Sequence, residues 1–300
     1  MQSCQTTSST SAQSLFVQVP VINKTGSLFV RNSENKITSE FDPDFIELSK
    51  IEEPIVTIKT DGTCALLVKL DDSYYLMRRQ DIKTTGRNYT DAMNSELKYN
   101  NDIPYRHATM TRGAGSNAKQ VPLHIYQLDA DLQPEPEANH LIGFTPISKE
   151  IPEDKHIMSA IIGTNGTPDL IIRTTVFDGT PDLIVKAIPA SELLAGRQLM
   201  TVEIMGPKVV NKYGFTGTTQ FINPHGSIIL PSSEVPELTY DSIKTWITNE
   251  SKNRWADVEG LVFHFPKAQR RFKFHCGHLD MGKQWNAKKA SGMVFHMSKE

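Results

Sequence analysis

Cysteine is scarce in this 300-residue chain, with Cys4, Cys64 and Cys276 as the full set. Three scattered thiols exclude a disulfide framework and suit a reducing compartment, so an intracellular, cytoplasmic protein is expected. Long apolar runs are missing as well. None approaches the roughly 20 residues that a membrane-spanning helix requires, so no membrane partner is expected. Net charge is only −2, unlike proteins that grip long duplex, which are usually basic overall. The first residues, Met1 to Ser14, lack the basic group and apolar block of a secretory signal and the arginines of a transit peptide. Ser, Thr and Gln dominate there, so residues 1–14 read as a disordered tail and 291–300 as a second one. With 38% apolar content overall, the remaining residues, 15–290, can bury a sizeable core, as one large domain or two small ones.

Alternating or short apolar runs dominate this stretch. Ser14–Val19, Ser27–Val30, Ile55–Ile58, Ala65–Leu70, Tyr74–Arg78, Leu123–Leu128, Leu170–Thr175, Leu183–Ile188, Leu199–Ile204, Ser227–Leu230, Gly260–Phe265 and Arg271–His275 read as strands. Helical spacing is rarer. It covers Ala190–Leu194, Tyr89–Leu97 and Asp241–Arg254, the last with Ile243, Trp246 and Ile247 in helical register. The expected fold class is α+β, with antiparallel sheets and a few helices. Residues 81–150 are polar, with Gly113-Ala-Gly115 and Pro134-Glu-Pro136, and read as a partly looped insertion on the substrate face. The segment Gly166-Thr-Pro-Asp-Leu-Ile returns at Gly179, which reads as two similar turns entering strands.

The most informative stretch is Ile58-Lys59-Thr60-Asp61-Gly62-Thr63, which follows the apolar run Ile55-Val56-Thr57-Ile58. The run reads as a buried strand and Asp61-Gly62 as the tight turn that ends it. That placement holds the Lys59 amine at a pocket mouth, where desolvation lowers its pKa and frees the lone pair for nucleophilic attack. Three further charges sit among apolar strand residues. Glu203 lies in Thr201-Val-Glu-Ile-Met-Gly206, Glu259 opens Val258-Glu-Gly-Leu-Val-Phe-His264, and Lys273 lies between Phe272 and Phe274. Taken singly, each is compatible with a half-exposed strand position. Taken in the order lysine, glutamate, glutamate, lysine, they suit a triphosphate and its metal. Local basic stretches accompany them. Arg254 to Lys289 carries eight Lys/Arg against three acids, and Arg78, Arg79, Lys83 and Arg87 follow the nucleophile strand. A few such contacts are enough to hold one strand end.

This ordered set resembles the covalent nucleotidyltransferases: ATP-dependent RNA and DNA ligases and mRNA capping enzymes. Within them the chain is similar to the small 5′-to-3′ RNA ligase family typified by the human RNA repair ligase. The likeness rests on Lys59-Thr-Asp-Gly-Thr-Cys64, Gly143-Phe-Thr-Pro-Ile147, Ala187-Ile-Pro-Ala-Ser-Glu-Leu-Leu194 and Asn211-Lys-Tyr-Gly-Phe215. Pro224-His-Gly226, Val258–His264 and Lys273-Phe-His-Cys-Gly-His-Leu279 extend it, in order over about residues 50 to 285. The resemblance implies an antiparallel-sheet nucleotidyltransferase domain, ATP with Mg²⁺ or Mn²⁺, and RNA ends bearing a 5′-phosphate and a 3′-hydroxyl as partners. It assigns catalysis to Lys59, Glu203, Glu259 and Lys273, and metal binding to Glu203 and Glu259. Nucleotide contacts fall to Ile58, Asp61, Gly62, Lys273, Arg78 (favoured over Arg79) and an adenine-stacking aromatic, with Tyr213, Phe215 and Phe221 as candidates and Phe221 chosen.

Several departures qualify the match. Many relatives have a second lysine where His275 stands, and 144 residues separate Lys59 from Glu203, against 56 from Glu203 to Glu259. Soon after Lys273 the chain ends, so no C-terminal OB domain of the capping-enzyme or DNA-ligase kind is expected. That disfavours a GTP-dependent capping guanylyltransferase and a DNA ligase. An inactive RNA-binding module is disfavoured because an inactive copy is free to lose any of the four charges. His264, His275, Cys276 and His278 lack a paired Cys-x-x-Cys, so zinc is not expected.

Overall fold

The structure, a computed structural model, describes residues 22–113, 115–137, 139–178, 182–209, 218–248, 258–279 and 294–298. The strands are β1 (Gly26–Ser27), β2 (Phe29–Arg31), β3 (Ile37–Phe41), β4 (Ile55–Lys59), β5 (Thr63–Leu70) and β6 (Ser73–Lys83). Next come β7 (Glu96–Asn100), β8 (Ile103–Arg112), β9 (Lys119–Ile125), β10 (His140–Pro146), β11 (Ile161–Ile162) and β12 (Ile171–Val176). The last are β13 (Asp182–Pro189), β14 (Leu199–Met205), β15 (Phe221–Pro224), β16 (Gly260–Phe265), β17 (Arg270–His275) and β18 (Val294–Met297). Among them run α1 (Pro43–Ser49), α2 (Arg87–Met93), α3 (Ala190–Leu194) and α4 (Tyr240–Thr248).

Two sheets organise the molecule. A 4-stranded sheet has the order β1–β17–β16–β4. A 12-stranded sheet has the order β18–β13–β12–β15–β14–β5–β6–β10–β9–β8–β7, with β11 against β12. Most neighbours are antiparallel; β1–β17, β12–β15 and β13–β18 are parallel. This is the expected α+β class. No helix among the described residues is long and apolar enough to cross a membrane.

Each sheet buries one face under helices and turns the other toward a shared cavity. On the small sheet, Val56, Ile58, Leu261, Phe263, Phe272 and Phe274 pack with Phe45 of α1 and Ile243 and Ile247 of α4. Phe45 meets Phe263, Phe265 and Phe272 edge-on at 5.9, 5.5 and 5.5 Å, a geometry that adds to the stabilisation from burial alone. Helix α1 is short but well started: Asp42 accepts the Asp44 N–H at 3.0 Å and Pro43 occupies the first turn. On the large sheet, Ala65, Leu67, Val202 and Ile204 pack under Ala190, Leu193 and Leu194 of α3.

Several expectations change. Within residues 81–150, β7 to β10 extend β6 sideways over their own core of Ile82, Ala92, Ala108, Met110, Leu123, Ile125 and Leu141, with loops between them. The pattern is hard to read because one inward position of β8 is Arg112, buried and bound to Asp154 at 2.7 and 2.8 Å. The helix expected over Tyr89–Leu97 spans Arg87–Met93 and gives way to β7. Ser227–Leu230 is not a named strand but borders β4, with Ile58 N–H donating to the Ile228 carbonyl at 2.9 Å and Leu230 N–H to Val56 at 2.8 Å. Residues 294–297, read as tail, pair with β13 as β18. The strand expected over Ser14–Val19, the 1–14 tail and the end of the Asp241–Arg254 helix lie outside the described residues.

Candidate functional site

A cavity of about 480 Å³ opens between the two sheets, and Ile58, Lys59, Gly62, Glu203 and Lys273 all line it. That volume is within the usual range for small-molecule sites. Lys59 ends β4, and the turn after it must pass close to β14. A Cβ on Gly62 would sit 2.3 Å from the Ile204 carbonyl oxygen and 2.8 Å from Glu203 Cγ, so only glycine fits. The Asp-Gly of the motif therefore brings the lysine strand and the Glu203 strand together.

Glu259 and Lys273 arrive on the other side of Lys59. Register places Lys59 opposite Gly260 and Gly260 opposite His275. A Cβ on Gly260 would meet the Phe274 carbonyl oxygen at 2.2 Å, so this motif glycine is also a close-approach residue. Glu259 precedes it, and Lys59 Nζ donates to Glu259 Oε2 in a half-buried ion pair. Lys273 is two positions before His275 on the same face of β17.

The charges reverse one expectation. Burial acts to lower the Lys59 pKa, but the Glu259 and Glu203 charges, the Glu259 hydrogen bond and Asp61 outweigh it, and the pKa is raised. The lysine is held as an ammonium, not freed by desolvation. Burial pushes Glu259 up to about 6 against the pull of Lys59. Lys273 is shifted down by burial and then by the Lys59 charge.

Glu203 lies on the cavity face of β14, opposite Cys64 and Asn223. Its Oε2 is 2.8 Å from His225 Nε2. Asn223 donates to Thr60 Oγ1 at 3.3 Å and accepts from Thr175 and Ser227, tying β15 to the nucleophile turn. Cys64 is pushed up to about 12 by burial and then by Glu203, so its thiol stays protonated.

Arg78 and Arg79 both line the cavity, but strand alternation sets them on different faces of β6. Ala65 pairs with Arg78, and Ala65 belongs to the core on the far face. Cys64, one residue earlier, faces the cavity, so its neighbour Arg79 shares that face. The Arg78 guanidinium instead lies 3.4 Å from the Glu153 carbonyl and 3.5 Å from buried Asp154. Phe221 is 2% exposed and is not among the residues that line the cavity, although it shares a face of β15 with Asn223, which is. Tyr213 and Phe215 lie outside the described residues.

The sequence reading gave no role to Thr57, Asn223, His225, His264 or the segment Asn23–Thr25, all of which line the cavity. Thr57 Oγ1 and His264 Nε2 are 2.8 Å apart, and burial pushes His264 down to about 3, so it is neutral there. The Pro224-His225-Gly226 motif was the one available signal for His225. In the remaining histidine cluster, Cys276 is buried with its thiol toward the Val258 carbonyl, and the His275 and His278 rings come together, 3.9 Å apart.

A cavity between two sheets, carrying a lysine on a carboxylate and a second lysine nearby, is an arrangement for group transfer at an anion. The sequence profile of the RNA ligase 1 family matches residues 34–293. The chain belongs to that family, whose membership supports a ligase acting on RNA. No curated protein matches the chain.

Proposed function

We propose that the protein is an ATP-dependent RNA ligase that works through a lysyl-AMP intermediate on Lys59. The carrying observation is the ion pair of Glu259 with Lys59, a cavity-lining lysine whose cavity Glu203 and Lys273 also line. In the first step Lys59 Nζ attacks the α-phosphorus of ATP. The P–N bond forms as the bond to the bridging oxygen breaks, and pyrophosphate leaves. Before the attack the ammonium loses one proton, which Glu259 Oε2, already accepting the Nζ hydrogen bond, is placed to take, and the second proton passes to solvent as the P–N bond forms. Lys273 offers positive charge to phosphoryl oxygens that carry negative charge in the transition state. AMP then passes to an RNA 5′-phosphate, and an RNA 3′-hydroxyl displaces it to seal the strand.

The donor set fits a hard divalent cation. Glu203 and Glu259 offer carboxylate oxygens whose charges both act on Lys59, and no group of three or more His, Cys, Asp or Glu among the described residues forms an all-protein cage. Mg²⁺ is ordinarily held by one or two carboxylates, waters and substrate phosphates. Bound by Glu203 and Glu259, it would supply positive charge to neutralise phosphate oxygens.

Joining assays test the reading. The protein with ATP and Mg²⁺ should seal strands that carry a 5′-phosphate and an RNA 3′-hydroxyl. The 2′-hydroxyl lets a protein tell RNA from DNA. Equal sealing of all-DNA ends, or a preference for GTP, would overturn it.

A further inference from the structure

One wall of the cavity comes from a segment that the chemistry above does not use. Asn23, Lys24 and Thr25 line it. The segment is tied to both sheets. Ile22 packs on the cavity-side cluster of the large sheet with Leu66, Val68 and Phe144. The Lys24 backbone N–H donates to Glu137 Oε2 at 3.1 Å. Arg271 Nε donates to Thr25 Oγ1 at 3.2 Å, and β1 continues beside β17 with Gly26 opposite Phe272 and Ser27 opposite Lys273. The result is a strap that runs from one sheet to the other along the cavity rim.

The cations on that rim are not equivalent. Lys59 is paired with Glu259 and Arg79 with Asp81, the latter at 2.7 Å. Lys24 and Lys273 make no ion pair among the described residues. Lys273 is two positions from His275, whose row holds Lys59, so it is about 7 Å along the strand from that row. Thr25 lies beside Arg271, four positions away, so the strap is about 13 Å along, with Lys24 one residue beyond. The phosphate at Lys59 is therefore the natural ligand of Lys273 and lies out of line with Lys24. Lys24 is also exposed, at the open rim of the cavity it lines.

We propose that Lys24 binds a backbone phosphate of the RNA strand, inward from its reacting end, so that the strap guides the strand out of the site. The assignment rests on the ligase reading for its choice of polymer. It makes Lys24 a positioning residue that recognises charge, not sequence.

The test measures binding of a 5′-hydroxyl RNA oligonucleotide and, separately, of AMP, across a salt series and without ATP. Lys24→Ala should weaken oligonucleotide binding about three- to tenfold. It should also reduce the slope of log affinity against log salt by roughly 0.7, the value for one single-strand phosphate contact. AMP binding should not change, Lys24→Arg should bind like wild type, and melting temperatures should match. Lys24→Gln is the second variant if alanine lowers melting. Unaltered oligonucleotide affinity and slope would overturn the inference, as would an equal loss for AMP. A protein that binds RNA through Lys24 yet takes no AMP from ATP would contradict the ligase chemistry and leave this contact standing.

Discussion

Lys59 is the residue where burial and charge oppose each other, and charge wins. Its raised pKa means that the neutral amine is the minor form near neutral pH. A group that reacts only when deprotonated, and whose pKa lies above the ordinary lysine value, should react faster as pH rises through the alkaline range. Glu259→Gln removes the largest charge that raises it, so the rise should begin at lower pH, although the overall rate falls. An unchanged profile would contradict the ion-pair account. Lys273→Ala should slow lysyl-AMP formation on the order of a hundredfold, about 3 kcal/mol of transition-state stabilisation. His225→Ala should slow it about tenfold at unchanged melting temperature, and His225→Gln, whose amide still donates to Glu203, should restore most of the rate. The four charges were legible because each sits in a short local pattern. His225 was not, because its bond to Glu203 exists only once β14 and β15 pair.

At the scale of elements, β6 shows where reading stops. Its apolar alternation announces a strand, but nothing local says which of two adjacent arginines faces the cavity. Register with β5 separates their faces, through Ala65 and Cys64, although both arginines line the cavity. Arg79→Ala should therefore lower ligation at unchanged melting temperature, and by more than Arg78→Ala does. Arg112→Ala is the complementary case. It strips buried Asp154, 0% exposed, of its two-bond partner, and removing one member of a buried pair costs about 3–5 kcal/mol. A denaturant melt that shows no loss would contradict the assignment. The same Arg112 explains why 81–150 read as loop: a charge at an inward strand position erases the alternation that marks a sheet.

For the whole molecule, the facing of the two sheets was the least legible property. Lys59 meets Glu203 across 144 residues of sequence, and no periodicity predicts which faces oppose. The consequence is a core with buried neutral histidines. His264 is pushed down to about 3 and His124 to about 4, chiefly by burial. The unfolded chain binds these protons near pH 6.5 and the folded one does not, so stability is full above about 6.5 and is lost as pH falls toward 3 or 4. Each tenfold difference in proton affinity is worth about 1.4 kcal/mol, so these two residues alone should cost several kcal/mol by pH 4. Thermal melting across pH 7 to 4 checks this, and a flat profile would count against buried neutral rings.

The central claim is that Lys59 carries AMP. Incubation with ATP and Mg²⁺, digestion and tandem mass spectrometry should find one AMP per chain on the peptide that contains Lys59. Lys59→Arg, whose guanidinium stays protonated and is no nucleophile, should acquire none. An adduct on another lysine, or AMP on the Lys59→Arg protein, would contradict the account.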